Sequence, residues 1–527
     1  MRRLLFAVGF VVGCEEEAPP PPPPPVAVEK ADTGEAAEET KEQEPEKPVR
    51  TPAQAAHDLM LAGQFAEASA AAAKLEDRAL GARLQRVAAR AGAPVPADAS
   101  AVFSAELALE SGKAQAAFDA LFPSLGDDLG DAAVVVARAI AAGAVLPEES
   151  ELPRPVAAMA KWIASPDARS ARGFAAQATL LTGAAADLVR ADKALAWGDS
   201  AALNAANEVL VQSADPQIKL RGLLGKLDGH QSGTVKGLSS DAVYAMATEA
   251  DSLAQAEGSL QQLKSALGHA VQASKRMNDF GGALAIAQAH LDTAKAAGTD
   301  PGLALALAAD AALLSGSPVI AADHAAAALA IEGEAGDAVR ASASWTSGLA
   351  AWQLGRAEAL HAASAAATGP QKDALKGLAA VHRGDVETAR LQFPPSGLDG
   401  EAAAHVYGVA ASIDAANAGA WYDKAIAGAD ASGVDALRVS TRLSKESWLR
   451  TFNRRGAAKL RQATSRINAS PALKGELSVR GFLAGSPGGV SGDAGPATGV
   501  WQALTSTSMP QKIEGDTWTG LLQWARG

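Results

Sequence analysis

The 527-residue chain has one cysteine, Cys14, so it forms no internal disulfide and holds no Cys-rich zinc or iron–sulfur site. Aromatic residues make up only 4% of it, few for a sugar-binding enzyme of this length. It lacks a Gly-x-x-x-x-Gly-Lys-Ser/Thr phosphate loop and a Gly-x-Ser-x-Gly nucleophile elbow. Its eight histidines are dispersed, with no His-Glu-x-x-His and no close pair to bind a metal from one helical face. His57 and Asp58 are adjacent, and adjacent residues do not face each other on a helix. Each histidine is therefore expected at an exposed or helix-terminal position, and no cofactor or metal is expected. No series of alternating β-branched residues with two-residue turns occurs, which argues against a sandwich or barrel.

What the chain has instead is alanine, about a quarter of all residues against single-digit usage in ordinary proteins. Alanine is the best helix former and loses no rotamer entropy on burial. Its small side chain lets helices approach to the short end of the roughly 8–10 Å interaxial range. From Thr51 onward the texture is helical segments punctuated by Gly, Pro and Asp, and the expected class is all-α. Six dipeptides place a capping residue before a proline at an apparent helix start: Thr51-Pro52, Ser165-Pro166, Asp215-Pro216, Asp300-Pro301, Ser317-Pro318 and Ser470-Pro471. The cap accepts an orphan N–H of the first turn, while proline has no such donor to waste.

The first fourteen residues have their own pattern. Arg2 and Arg3 precede an apolar run from Leu4 to Val12, and Val11-Val12-Gly13 puts small residues before Cys14. The run is too short for a bilayer span of about 20 residues and suits a cleaved signal peptide. It resembles the lipobox of bacterial lipoproteins, with Val11 where leucine is commonest. The resemblance implies diacylation of Cys14, export by the general route and anchorage to a bacterial membrane facing the periplasm, inner or outer left open. Two acyl chains supply anchoring that one cannot. Residues 14–50 carry eleven acidic and four basic residues and the run Pro19 to Pro25. Low hydrophobicity with high charge cannot offset backbone entropy, so a disordered tether is expected, with a partner docking site as the alternative to a plain spacer.

A turn, a variable residue and the start of a new helix recur along the body. Gly63-Gln64-Phe65, Gly112-Lys113-Ala114, Gly355-Arg356-Ala357 and Gly384-Asp385-Val386 carry the form, with looser copies at Gly198-Asp199, Asn278-Asp279-Phe280 and Gly316-Ser317. Trp345 and Trp352, seven residues apart, share a helix face. The pattern resembles the tetratricopeptide repeat, most clearly over 270–392. Its turns near 278, 316 and 355 are 38 and 39 residues apart, against 34 in the ideal repeat, and a related helical-hairpin solenoid fits as well. The resemblance implies an α-solenoid of helical hairpins after the N-terminal tether. The expected division is 1–13 signal peptide, 14–50 tether, 51–228 and 239–484 two helical-repeat arrays, 485–497 a Gly-rich loop and 498–527 a C-terminal cap. The glycines at 229, 233 and 237 mark the seam between the arrays. Trp501, Trp518 and Trp524 fall in the cap; Trp345, Trp352, Trp421 and Tyr422 are expected in the core.

The net charge is −12, yet between Ala436 and Lys474 ten Lys or Arg meet one Glu. Arg438, Arg442 and Lys445 form an i, i+4, i+7 stripe, and Arg450, Arg454 and Arg455 continue it with Trp448 between. Such a surface would attract an acidic protein or peptide, anionic headgroups or a phosphorylated glycan, unless acidic neighbours in the fold neutralise it. Nucleic acid fits the charge but not an export signal. These residues are the candidate partner-binding site, the other partner being the membrane through Cys14, and no catalytic residue is assigned. The expected function is a membrane-anchored scaffold or adaptor for a protein or peptide. The rival is a helical-barrel enzyme acting on cell-wall or other glycans, with carboxylates as acid and base.

Overall fold

The computed structural model describes residues 50–467 except 127–128, 148–150, 332–335, 399 and 465. The lipobox with Cys14, the tether, Ser470-Pro471, the Gly-rich loop and the tryptophans at 501, 518 and 524 lie outside the described residues. Those described contain α-helices, short turns and no strand. In chain order the helices are α1 (Pro52–Leu61), α2 (Phe65–Ala72), α3 (Arg78–Arg90), α4 (Ala101–Glu110), α5 (Ala114–Leu121), α6 (Asp131–Ala141), α7 (Arg154–Ala164) and α8 (Ala168–Ala178). There follow α9 (Ala184–Trp197), α10 (Ser200–Val211), α11 (Pro216–Gln231), α12 (Ser240–Glu257), α13 (Leu260–Arg276), α14 (Phe280–Ala297), α15 (Gly302–Leu314) and α16 (Pro318–Leu329). The last are α17 (Asp337–Gln353), α18 (Ala357–Ala366), α19 (Gly369–His382), α20 (Val386–Gln392), α21 (Gly400–Ile413), α22 (Ala418–Ser432), α23 (Asp435–Arg450) and α24 (Arg454–Thr464).

All seven copies of the turn share one local geometry. Gly63, Gly112, Gly198, Gly316, Gly355 and Gly384 have positive φ, and the seventh position is Asn278, the one non-glycine at positive φ among the described residues. The N–H of the next residue then reaches back five residues: Gln64 to Leu59, Asp279 to Ser274 and Arg356 to Ala351, each at 2.9 Å. This closes the preceding helix in a Schellman motif, which needs a left-handed residue and favours glycine or asparagine there. The chain then re-enters a helix at once, forming the hairpins α1–α2, α4–α5, α9–α10, α13–α14, α15–α16, α17–α18 and α19–α20. Three residues into each second helix the side chain is buried: Ala68, Ala117, Leu203, Ala283, Ala321, Leu360 and Ala389. A small residue at this position lets the two helices cross closely.

The caps are mixed in register. Thr51 forms a capping box with Gln54, and Asp215 accepts from Gln217 and Ile218. Ser317 stands at the N-cap of α16 without a side-chain bond. At Ser165-Pro166 the cap is Asp167, two residues later than expected, because its carboxylate reaches Ser170 N at 2.7 Å. Pro301 itself holds the N-cap position of α15, and Asp300 bonds Gly302 N beside it.

Most packing joins a helix to its successor or to the next but one; α6 also meets α9, and two closures span far more of the chain. Helix α1 packs against α12 and α14, and α3 against α12. Arg83 on α3 pairs with the buried Glu257 carboxylate at 2.7 Å, and buried His57 bonds the Gly258 carbonyl at 2.7 Å. Farther along, Lys275 on α13 reaches Glu401 on α21, Gln272 donates to the Ser432 carbonyl, and Phe280 packs against the cluster of Ala404, Ala429, Val434 and Leu437. The chain thus turns back on its middle helices from both sides. Around residues 229–237, where a seam is expected, α11 and α12 pack directly on each other.

Candidate functional site

The basic stretch occupies α23, α24 and the turn between them. Helix α22 ends at Gly433 in the left-handed region, and Ser432 Oγ accepts from Val434 N at 3.1 Å, which sets the angle at which α23 returns. That return lays the basic stripe of α23 along the acidic side of α22. Arg442 bonds Asp430 at 2.6 Å, and Arg438 spans Asp430 at 3.2 Å and Asp435 at 2.7 Å. Lys445 pairs with Asp423. Asp423 and Asp430 are seven residues apart, the same spacing as Arg438 and Lys445, so two matched helical stripes meet. Burial alone would raise the Asp430 carboxyl; its bonds to Arg442 and Arg438 outweigh that and hold it below the ordinary carboxylate value.

Glu446, the lone acid of the stretch, is almost fully buried and accepts from Arg450 at 2.9 Å and from Arg461 of α24 at 2.8 Å. This carboxylate ties the last two helices together. Of the seven candidate binding residues, Arg438, Arg442, Lys445 and Arg450 are therefore engaged within the fold. Trp448 is half-buried, tilted on Tyr422 with ring centroids 5.7 Å apart and edge-on to Phe452 at 4.7 Å. Gly419 makes room for it: a Cβ there would stand 3.1 Å from the indole.

The remaining charges differ. Arg454, Arg455 and Lys459 are exposed and have no ion-pair partner among the described residues, and Phe452 beside them is 62% exposed. The first turn of α24 contains both arginines and no acid. Cations at the positive end of a helix dipole are unfavourably placed. The site that stands out is narrower than the stretch: an exposed phenylalanine followed within seven residues by three cations unpaired among the described residues.

Three other polar clusters were not visible in the sequence. His57 and His290 are buried in mid-helix, which corrects the expectation of exposed or helix-terminal histidines. Their partners, the Gly258 carbonyl and Asp251 at 2.5 Å, come from distant parts of the chain. Burial holds His57 below its ordinary value, against the opposing pull of the Gly258 carbonyl and Asp58. A cavity of about 320 Å³ opens beside it, lined by Arg50, Gln54, Asp58, Gln255 and Thr293 among others. In the second closure, Lys275 bonds both Asp310 and Glu401. Burial would lower the Lys275 ammonium, but the two carboxylates outweigh it and hold it far above its ordinary value. Burial and the Asp310 charge raise Glu401. Lys275 thus stands between two carboxylates and binds both.

Three of the aromatics expected in the core are packed. Trp345 is buried, Trp352 packs against the same cluster, and Trp421 lies over Tyr407 at 5.5 Å while donating to Asp414 at 3.0 Å. No group of three His, Cys, Asp or Glu side chains among the described residues is placed to hold a metal, and no described helix is long and apolar enough to cross a membrane. Comparison with models of protein families, with curated proteins and with solved structures finds no match for this chain.

Proposed function

We propose that this all-α chain is an exported, lipid-anchored scaffold that holds an acidic protein or peptide partner near a bacterial membrane. Its helical hairpins, similar to tetratricopeptide repeats, form a solenoid that returns on its own middle. The N-terminal motif ending at Cys14 supports the anchor, and the acidic, proline-rich stretch after it supports a tether. The observation that carries the binding reading is the contrast between the two basic helices. On α23 each cation has a carboxylate of the same fold, whereas Arg454, Arg455 and Lys459 on α24 have none among the described residues. A surface with unpaired charge and an exposed aromatic ring suits recognition of an anionic, partly apolar segment.

Two variants test this reading. Arg454→Glu with Arg455→Glu should abolish charge-dependent capture of a partner in in-cell crosslinking, with helical content and melting temperature unchanged. Arg438→Glu with Arg442→Glu should lower stability, because both would repel Asp430. Equal recovery of one partner from wild type and the first variant would place the binding site elsewhere. For the anchor, Cys14→Ser should move the protein from the membrane to the soluble periplasmic fraction. Retention of that variant on membranes washed in high salt would overturn acyl anchoring.

A further inference from the structure

We propose that the edge formed by Phe452, Arg454, Arg455 and Lys459 has an occupant within the same chain: Glu29 to Glu35, the N-terminal part of the acidic stretch that runs to Glu46. The proposal rests on the reading of α24 as a charge-selective surface and names what competes for it. Between Glu29 and Glu46 stand eight acidic residues and two lysines, preceded by the apolar Val26-Ala27-Val28. That order, apolar then acidic, matches an exposed ring followed by three cations. The C-terminal segment, residues 468–527, holds four acids and four bases, so charge gives it no such preference.

The geometry permits the contact. Arg50, where the described chain begins, bonds the Asp292 carbonyl on α14 and pairs with Asp58 at 3.4 Å. From Asp292 back to Phe280, α14 covers about 18 Å at about 1.5 Å per residue. Phe280 packs against the cluster that includes Leu437, near the start of α23, and from Leu437 to Arg450 is about 20 Å more. With one interhelical step of about 10 Å, the route from Arg50 to the edge is about 50 Å. A chain of 21 residues, the span from Glu29 to Arg50, reaches about 70 Å when extended, and about 15 residues cover the 50 Å route, so Glu29 to Glu35, the N-terminal part of the acidic stretch, arrives at α24. A flexible link of this kind sets an effective concentration in the millimolar range. A contact too weak to detect between separate molecules would therefore be well populated within one. Any acidic partner would have to displace the segment, and its apparent affinity would fall by the fraction of time the edge is taken.

The test uses the full-length chain and a carbodiimide, which joins a carboxylate to an amine without adding a spacer. Peptide mapping should find Lys459 joined to the Glu29–Glu35 region. The product should disappear in Arg454→Glu with Arg455→Glu, and should fall steeply in about 0.5 M salt, where the screening length drops to a few ångströms. If Lys459 reacts readily with an acetylating reagent yet gives no such product, or gives it regardless of salt and charge reversal, self-occupancy is wrong. A second arm measures binding of a soluble polyglutamate peptide to the wild type and to a variant with Glu29 and Glu35 changed to Gln and Asp32 to Asn. Binding should tighten by about two- to tenfold in the variant, for a segment that holds the edge from half to nine-tenths of the time. Equal binding to both, lost on reversing Arg454 and Arg455, would sink self-occupancy and leave the charge-selective surface standing. No binding to either protein would sink both.

Discussion

Gly428 of α22 lies directly against Ala403 of α21. A Cβ built on Gly428 would overlap the Ala403 side chain and stand 2.8 Å from the Gly400 carbonyl oxygen, so hydrogen is the only side chain that fits. The same closeness recurs at Gly222 on α11, where an added Cβ would stand 2.7 Å from Leu210 Cβ and 2.8 Å from the Val211 nitrogen.

Gly428→Ala is therefore expected to destabilise the protein by about 1–3 kcal/mol, the usual cost of overfilling a packed site, although alanine is the better helix former. The control is Gly268→Ala in α13, where an added Cβ meets nothing within 4 Å; that change should stabilise by about 0.5–1 kcal/mol. Thermal melts of both variants decide it. Two changes of equal sign would mean that helix propensity, and not the crossing distance, governs Gly428.

Glu446→Gln should loosen the α23–α24 pair. It removes the buried negative charge shared by Arg450 and Arg461, and about 1–3 kcal/mol is the expected loss for a charge-assisted network whose arginines are still partly in water. Hydrogen exchange should show α24 losing protection ahead of α22. Unchanged exchange in α24 would show that apolar contacts alone hold it.

Acid should open the first closure before the helices melt. The folded state holds His57 below its ordinary value of 6.5, so below about pH 6.5 the unfolded chain takes up the proton first. The contribution of this histidine to stability is thus present above pH 6.5 and is lost as the pH falls. His230, His324 and His405 are shifted the same way, so overall stability falls too. The specific expectation is faster exchange in residues 52–61 at pH 5.5 than at pH 7.5, a difference removed by His57→Gln. If α1 exchanges alike at both pH values, the histidine is not what the closure depends on.

The hairpin turns were readable in the sequence because everything that makes them lies within six residues: a left-handed residue, the carbonyl five positions back and the next helix start. Asn278 could be recognised as a copy of the glycines for the same reason. Two of the five proline starts among the described residues were displaced from the expected register: Asp167 offered a carboxylate nearer the free N–H groups than Ser165, and Pro301 took the N-cap position while Asp300 kept its bond to Gly302 N. The basic stretch was legible as charge, but its neutralisation was not: Asp423 and Asp430 become partners only once Gly433 has turned α23 back along α22. His57 and Gly258 are 201 residues apart, Arg83 and Glu257 174 apart. Nothing local to either member of such a pair announces the other.

The closure of α1 and α3 onto α12 and α14 also bears on the order in which the chain can fold. A chain made or threaded from its N-terminus presents Arg83 and His57 long before Glu257 and Gly258 arrive. Hairpins such as α4–α5 are assembled from neighbours and can form as they emerge. The first three helices must wait for some two hundred more residues before their outer faces are covered. In that interval their apolar surface is open to wrong partners, including the same surface on another copy, so the earliest of the described helices to appear are among the last to be finished.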